Sequence, residues 1–123
     1  MKNMKENRSS QYDLEDRTFE FAKNVRAIAK QLPKTLSNLE DIRQVVRSSG
    51  SIGANYIEAN ESLSKKDFLM KVKICRKETK ESRYWLRLID PGDDAALKKH
   101  LGELVQEATE LMNIFGAILR KSE

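Results

Sequence analysis

Apolar residues recur along this chain in alternating steps of four and three, the spacing that sets them on one face of an α-helix. From Leu14 the pattern reads Leu14, Thr18, Phe21, Val25, Ile28 and Leu32, widened by Ala22 and Ala29. It predicts a first helix from about Leu14 to Leu32, capped by Asp13 and stopped by Pro33. A second opens on Ser37-Asn38-Leu39-Glu40, a capping-box pattern, and ends near Asn60. Its apolar face is Leu39, Ile42, Val45, Val46, Ile52 and Tyr56. A third opens at Ser64, with Asp67 three residues on, and runs to about Ile89, where Pro91-Gly92 forces a turn. The fourth follows Asp93-Asp94, two carboxylates suited to a positive helix end, and its stripe runs from Leu97 to Leu119. Residues 1–12 are polar and aperiodic and read as a flexible tail, leaving 13–123 as the folded unit. Long amphipathic helices with short connections imply antiparallel neighbours, hence an all-α, up-down four-helix bundle.

Composition narrows this further. A length of 123 residues suits one domain with a proper core. Five Gly and two Pro are too few turn signals for a sandwich or barrel. The chain has no apolar run near the ~20 residues that span a bilayer, and its N-terminus lacks the apolar core of a signal peptide, so a cytoplasmic protein is expected. A single cysteine, Cys75, excludes an internal disulfide and fits a reducing compartment.

The stretch RSSGSIGANYIEANES, residues 47–62, raises a choice between a phosphate-cradling loop and a helix of small residues. Gly50 and Gly53 form only a G-x-x-G. A P-loop needs a lysine beside its glycines, and a dinucleotide fingerprint needs a third glycine after a strand; both are missing. A KH-type G-x-x-G loop belongs to a fold with strands, for which this chain has no pattern. The reading that remains is a helix with Val45, Ser49, Ile52 and Tyr56 inward and a small patch of Gly50, Gly53 and Ala54 beside them. Two helical glycines cost about 2 kcal/mol against alanine, which close approach of a neighbouring helix offsets. A break at Gly50 is the alternative.

Charge is concentrated rather than large. The chain holds 23 basic and 19 acidic residues, net +4, yet residues 64–89 alone carry nine basic and three acidic side chains. That segment sums to +6 and the remainder to −2. On a helical wheel the third helix has three faces. Phe68, Val72, Cys75, Thr79, Ser82, Leu86 and Ile89 form the core stripe, which makes Cys75 a small buried hydrophobe. Met70, Ile74, Glu81, Trp85 and Leu88 form a second face that suits either a second subunit or the edge of the bundle core. With Phe19, off the main stripe of the first helix, they form a candidate oligomer interface of Phe19, Ile74, Trp85 and Leu88. Lys66, Lys73, Lys80 and Arg87 recur every seven residues, with Lys77 and Tyr84 among them. Such a stripe can track a phosphate backbone while Tyr84 stacks on a base. Its plainer alternative is a solvated face with ion pairs such as Glu81 to Lys77.

Catalytic constellations are absent. The one histidine, His100, stands beside Lys98 and Lys99 and reads as a surface residue. No Glu-x-x-His motif supports a di-iron bundle, and no His/Cys set supports zinc, so neither metal nor cofactor is expected. Asn55, Glu58 and Arg83 suggest an interhelical or intersubunit polar network rather than an acid/base pair.

Three stretches carry a family resemblance: YDLEDRTFEFAKNVRAIAKQLP (12–33), VRSSGSIGANYIEANESLSKKDFLMKVKICRKETKESRYWLRLI (46–89) and the leucine-rich last helix. The specific part is Ser51-Ile52-Gly53-Ala54-Asn55, Glu58-Ala59, Ser64-Lys65-Lys66-Asp67-Phe68 and Glu81-Ser82-Arg83-Tyr84-Trp85-Leu86. Over roughly residues 12–120 the sequence resembles the bacterial four-helix-bundle proteins encoded in intervening sequences of large-subunit ribosomal RNA genes, often labelled ribosomal-protein-like. The resemblance implies an up-down bundle and a ring-shaped homo-oligomer, a pentamer. The pentamer follows because the family is similar to accessory proteins of diversity-generating retroelements, basic five-fold barrels that bind nucleic acid and a reverse transcriptase. One departure is Gly50, where the family pattern suggests alanine or threonine.

These readings converge on a non-enzymatic, oligomeric RNA-binding or nucleoprotein-assembly module. The stripe of Lys66, Lys73, Lys77, Lys80, Arg87 and Tyr84 would meet nucleic acid. The alternative is a scaffold whose basic face meets an acidic protein partner. An enzyme would need a site built between subunits from Asn55, Glu58 and Arg83.

Overall fold

The computed structural model describes the backbone of residues 2–122 and the side chains of residues 14–122. It consists of four helices: α1 (Lys2–Ala29), α2 (Leu36–Asn60), α3 (Lys65–Leu88) and α4 (Ala95–Lys121). Each packs against its neighbours in chain order, and α4 closes back on α1; among the described residues the backbones of the diagonal pairs do not approach one another. The expected all-α four-helix bundle is the fold. No described helix is long and apolar enough to cross a membrane.

The core is the set of inward stripes. Leu14, Thr18, Phe21, Val25, Ile28 and Leu32 are all buried, and so are Val45, Ile52, Tyr56, Val72, Cys75, Leu86 and Ile89. From α4, Leu97, Leu101, Leu104, Ala108, Leu111 and Phe115 complete it, with the Phe115 ring 5.9 Å from that of Tyr56. Burying each such side chain stabilises by about 1.5–3 kcal/mol, which makes these stripes the main driving force of the fold. Leu39, expected on the inward face of α2, is instead 42% exposed.

Two helix starts differ from the sequence reading. The α1 backbone begins at Lys2, so Asp13 falls within it instead of capping it. Residues 2–12 contain no Pro or Gly and several strong helix formers, which lets the helix continue before its buried stripe begins. The side chains of the expected tail lie outside the described residues. At α2 the N-cap is Thr35, whose side chain accepts from the Asn38 amide, and Ser37 lies inside the first turn. The caps at Ser64 and Asp94 are as expected: Ser64 accepts from Asp67 N, and Asp94 from Ala96 N and Leu97 N.

The helix α2 runs unbroken through Gly50 and Gly53, and its small residues serve two neighbours. Ser48 faces α3, where its buried hydroxyl and that of Ser82 pair at 2.7 Å, and the Cys75 thiol points to Ile52 O at 3.5 Å. Small side chains on both sides explain why α2 and α3 form the most extensive contact of the bundle. Its glycines face α1. A Cβ on Gly53 would lie 3.0 Å from Thr18 Oγ1, and one on Gly50 would lie 3.2 Å from the Arg26 guanidinium.

One end of the bundle is tied by a buried amide. Asn38 is 1% exposed; its Nδ2 donates to Pro33 O (3.0 Å) and Asp90 O (2.8 Å), and its Oδ1 accepts from Asp90 N (3.0 Å). A single side chain thereby joins the α1–α2 and α3–α4 connections. Pairing between α1 and α4 is the slightest of the four seams. Arg17 bridges it, donating to Glu107 at 2.6 and 3.0 Å and to Glu110 at 3.2 Å.

Candidate nucleic-acid interface

At 1.5 Å rise per residue, Lys66 and Arg87 stand about 30 Å apart along α3. Because 3.6 does not divide seven, residues repeating every seven positions drift ~20° per step. The line through Lys66, Lys73, Lys80 and Arg87 therefore winds slowly around the outer face of α3 toward its α4 side. All four, and Lys77 among them, are exposed. None makes an ion pair among the described residues, and the pairing of Glu81 with Lys77 that would have quieted the stripe does not form. The cations of this helix that do find partners are its flanking ones. Lys71 meets Glu58 at 2.6 Å, and Arg83 Nε donates to Thr109 Oγ1 at 2.9 Å.

Tyr84 lies in the stripe, 56% exposed, its ring held edge-on against Trp85 with centroids 5.1 Å apart. That contact fixes the ring while leaving its other face open. Near the start of α3 the lysines alternate with apolar groups: Lys66, Lys73 and Lys77 share a shallow surface hollow with Leu69, Met70 and Ile74.

The second face of α3 is half in and half out. Trp85 packs partly against the core, while Ile74 is half-buried and Leu88 is 50% exposed. Trp85 thus lines the edge of the core on its inner side and stays partly exposed on its outer side. Phe19 is 60% exposed on α1, away from this face, with the Lys23 ammonium 5.6 Å from its ring centre.

Asn55, Glu58 and Arg83 are not brought together within the chain. Asn55 donates to Ser51 O and Ser51 Oγ one turn back, Glu58 pairs with Lys71, and Arg83 turns to α4. The wheel gave each residue's angle on its own helix; it did not give which neighbour that angle faces.

Sequence reasoning missed a buried acid. Glu78 is 5% exposed on the α2 side of α3, with Oε1 3.9 Å from Arg47 Nη1 and Oε2 without any hydrogen-bond partner. Burial raises its carboxyl above the ordinary value, neighbouring Glu81 adds to this, and Arg47 opposes it. A signal existed in its position one step from Cys75 and Ser82 on the wheel. Cys75 itself is fully buried, and loss of solvent pushes its thiol up to about 12, which makes it unreactive as a nucleophile.

Charge in one neighbouring groove has the opposite sign. The groove between α1 and α4 is lined by Asp16, Glu20, Glu103 and Glu107, with Arg17 engaged in its ion pairs. His100 lines the same groove, half-buried rather than free on the surface.

Known proteins agree with this architecture. The family model of the 23S rRNA-intervening sequence protein matches residues 10–117. A crystal structure of a protein of unknown function from the S23 ribosomal protein family of Bacteroides thetaiotaomicron superposes with a TM-score of 0.72. The two are 28% identical, over 86% of this chain and 97% of that one. Comparison with curated proteins finds no match.

Proposed function

Since the chain belongs to the 23S rRNA-intervening sequence protein family, we propose that it is a non-enzymatic, homo-oligomeric module that binds structured RNA along α3. The observation that carries this is the run of unpaired, exposed cations at Lys66, Lys73, Lys77, Lys80 and Arg87. Unpaired cations on a rigid rod release counterions from a phosphate backbone without first giving up an ion pair. Tyr84 supplies an aromatic face beside them for an unstacked base. The acidic α1–α4 groove repels the same polyanion, so binding is confined to the α3 side. Multiplying the stripe in a ring of copies, a pentamer by family likeness, would raise avidity without new contacts.

The test is fluorescence anisotropy of a labelled structured RNA over a salt series on nuclease-treated protein. Micromolar or tighter binding is expected, with a log–log salt slope that reports the phosphates engaged. The double variant Lys73→Glu/Lys80→Glu should bind at least tenfold more weakly and with a shallower slope, while its helical spectrum is unchanged. Equal binding by wild type and variant removes the stripe from the mechanism.

A second reading rests on the apolar groups among the lysines, Leu69, Met70 and Ile74. An acidic protein with an apolar anchor would suit that mixed hollow better than RNA does. Pull-down with and without nuclease separates the two, because only a protein-borne interaction survives digestion.

A further inference from the structure

Gly116 is buried in α4, and what covers it is not another helix backbone but two guanidinium groups. A Cβ at this position would lie 3.3 Å from Arg120 Nη1 and 3.8 Å from Arg76 Nε, and no other atom of a neighbouring helix comes within 4 Å of it. Arg76 reaches the spot from α3 and Arg120 from one turn further along α4. The two nitrogens are therefore no further apart than those two distances laid end to end. Both side chains are exposed, and neither meets a carboxylate among the described residues. Like charges at such range repel, and an anion set between them reverses the sign.

The end of α4 does not account for Arg120. A cation in the last turn commonly complements the free carbonyls there. Ser122 already serves them: its amide donates to Ile118 O and Leu119 O, and its hydroxyl to Ile118 O. The Arg120 guanidinium is turned back over Gly116 instead.

The surroundings are cationic too. Lys73 and Lys80, one turn either side of Arg76, are exposed and without ion pairs among the described residues. In steps of three and four, the α4 flank beside α3 reads Gln106, Thr109, Asn113, Gly116 and Arg120, with no carboxylate. The acids of the two helices look elsewhere. Glu107 and Glu110 hold Arg17 of α1, and Glu103 lines the α1–α4 groove. On α3, Glu78 faces Arg47 of α2, Glu81 follows it one turn on, and Asp67 shares a hollow with Glu58 of α2.

We propose that Arg76 and Arg120 together clamp one phosphate of an RNA backbone at the α3–α4 seam, with Lys73 and Lys80 beside them. This rests on the RNA-binding reading above and adds a fixed contact to its run of point charges. At about 2.8 Å for each charge-assisted hydrogen bond, one tetrahedral phosphate bridges two nitrogens so placed. A guanidinium offers a rigid fork of donors, whereas a lysine offers a mobile ammonium. The lysine stripe therefore attracts the strand, and the arginine pair fixes where it crosses from α3 to α4.

Anisotropy of a labelled RNA hairpin with hydroxyl ends, which offers backbone phosphates alone, tests the clamp. Wild type is compared with Arg76→Lys, Arg120→Lys and the double variant over a salt series, each checked by helical spectrum and melting curve. Lysine keeps the charge, and hence the salt slope, but gives up the fork. Each single variant should bind about three- to tenfold more weakly at an unchanged slope. The double variant should be hardly weaker than either single one, because both arginines hold the same phosphate. Variants that bind as tightly as wild type, or losses that simply multiply, overturn the clamp and leave the stripe standing. A wild type that binds no RNA even at low salt overturns both.

Discussion

Replacing Asn38 should show how much one buried amide contributes to the alignment of four helices. The side chain makes three hydrogen bonds to the main chain at 2.8–3.0 Å, two of them across 52 residues of sequence. At about 0.5–1.5 kcal/mol each, Asn38→Ala should cost about 3 kcal/mol, since it also leaves Asp90 N–H and two carbonyls without their partner. With an unfolding entropy of about 2.1 cal/mol/K per residue, that corresponds to a fall of roughly 10 °C in Tm for a chain of this length. Asn38→Asp is the sharper variant. It keeps an acceptor for Asp90 N but turns a carboxylate toward two carbonyl oxygens, so it should be worse than alanine at pH 7 and should improve as acid protonates the new side chain. Urea titration followed by helical signal measures both, with an unchanged m-value as the check that the unfolded state is the same. A loss under 1 kcal/mol for alanine, or an aspartate variant no worse than alanine at pH 7, refutes the clamp.

Two further predictions concern the seams of α2. Gly53→Ala would gain about 1 kcal/mol of helix propensity but places its Cβ 3.0 Å from Thr18 Oγ1, so it should destabilise unless Thr18 is also shortened. Thr18→Ala/Gly53→Ala should therefore be more stable than the sum of its single variants by about 1 kcal/mol in a double-mutant cycle. Glu78→Gln should stabilise the bundle by about 1 kcal/mol at neutral pH, because it spares the burial of a poorly paired charge. The sign follows from the raised carboxyl: the folded chain holds this proton more tightly than the unfolded one. Its contribution is full below the ordinary Glu value and is lost as pH rises through the raised one. The advantage of Gln should accordingly shrink toward zero as pH is lowered to about 4 in parallel thermal melts.

The four stripes were legible in the sequence because periodicity is a local signal and every helix here buries one face. Thr18, Val25, Ile52 and Leu86 landed in the core for that reason alone. The capping-box pattern points to Ser37, whereas the cap of α2 is Thr35: both are capping residue types, and the Thr35 side chain accepts from Asn38 N. The bond from Asn38 to Asp90 links positions 52 residues apart and leaves no trace in any window of sequence. The basic stripe was legible as angles on a wheel, but whether its lysines were neutralised depended on rotamers and neighbours that a wheel does not contain. Within the chain Asn55, Glu58 and Arg83 find separate partners for the same cause, since each is polar on its own helix and each looks a different way.

A net charge of +4 describes this chain poorly as a polyanion would meet it. Cations along α3 and carboxylates between α1 and α4 give the bundle an electric dipole across its width, so an approaching phosphate backbone exerts a torque as well as a pull. On the proposed RNA-binding reading, the molecule would turn its α3 side forward before any contact is made, and fewer encounters would be wasted on the wrong face. At physiological salt the field reaches only about 8 Å, which confines this turning to the last water layers of the approach. Raising the salt should therefore slow association as well as weaken binding.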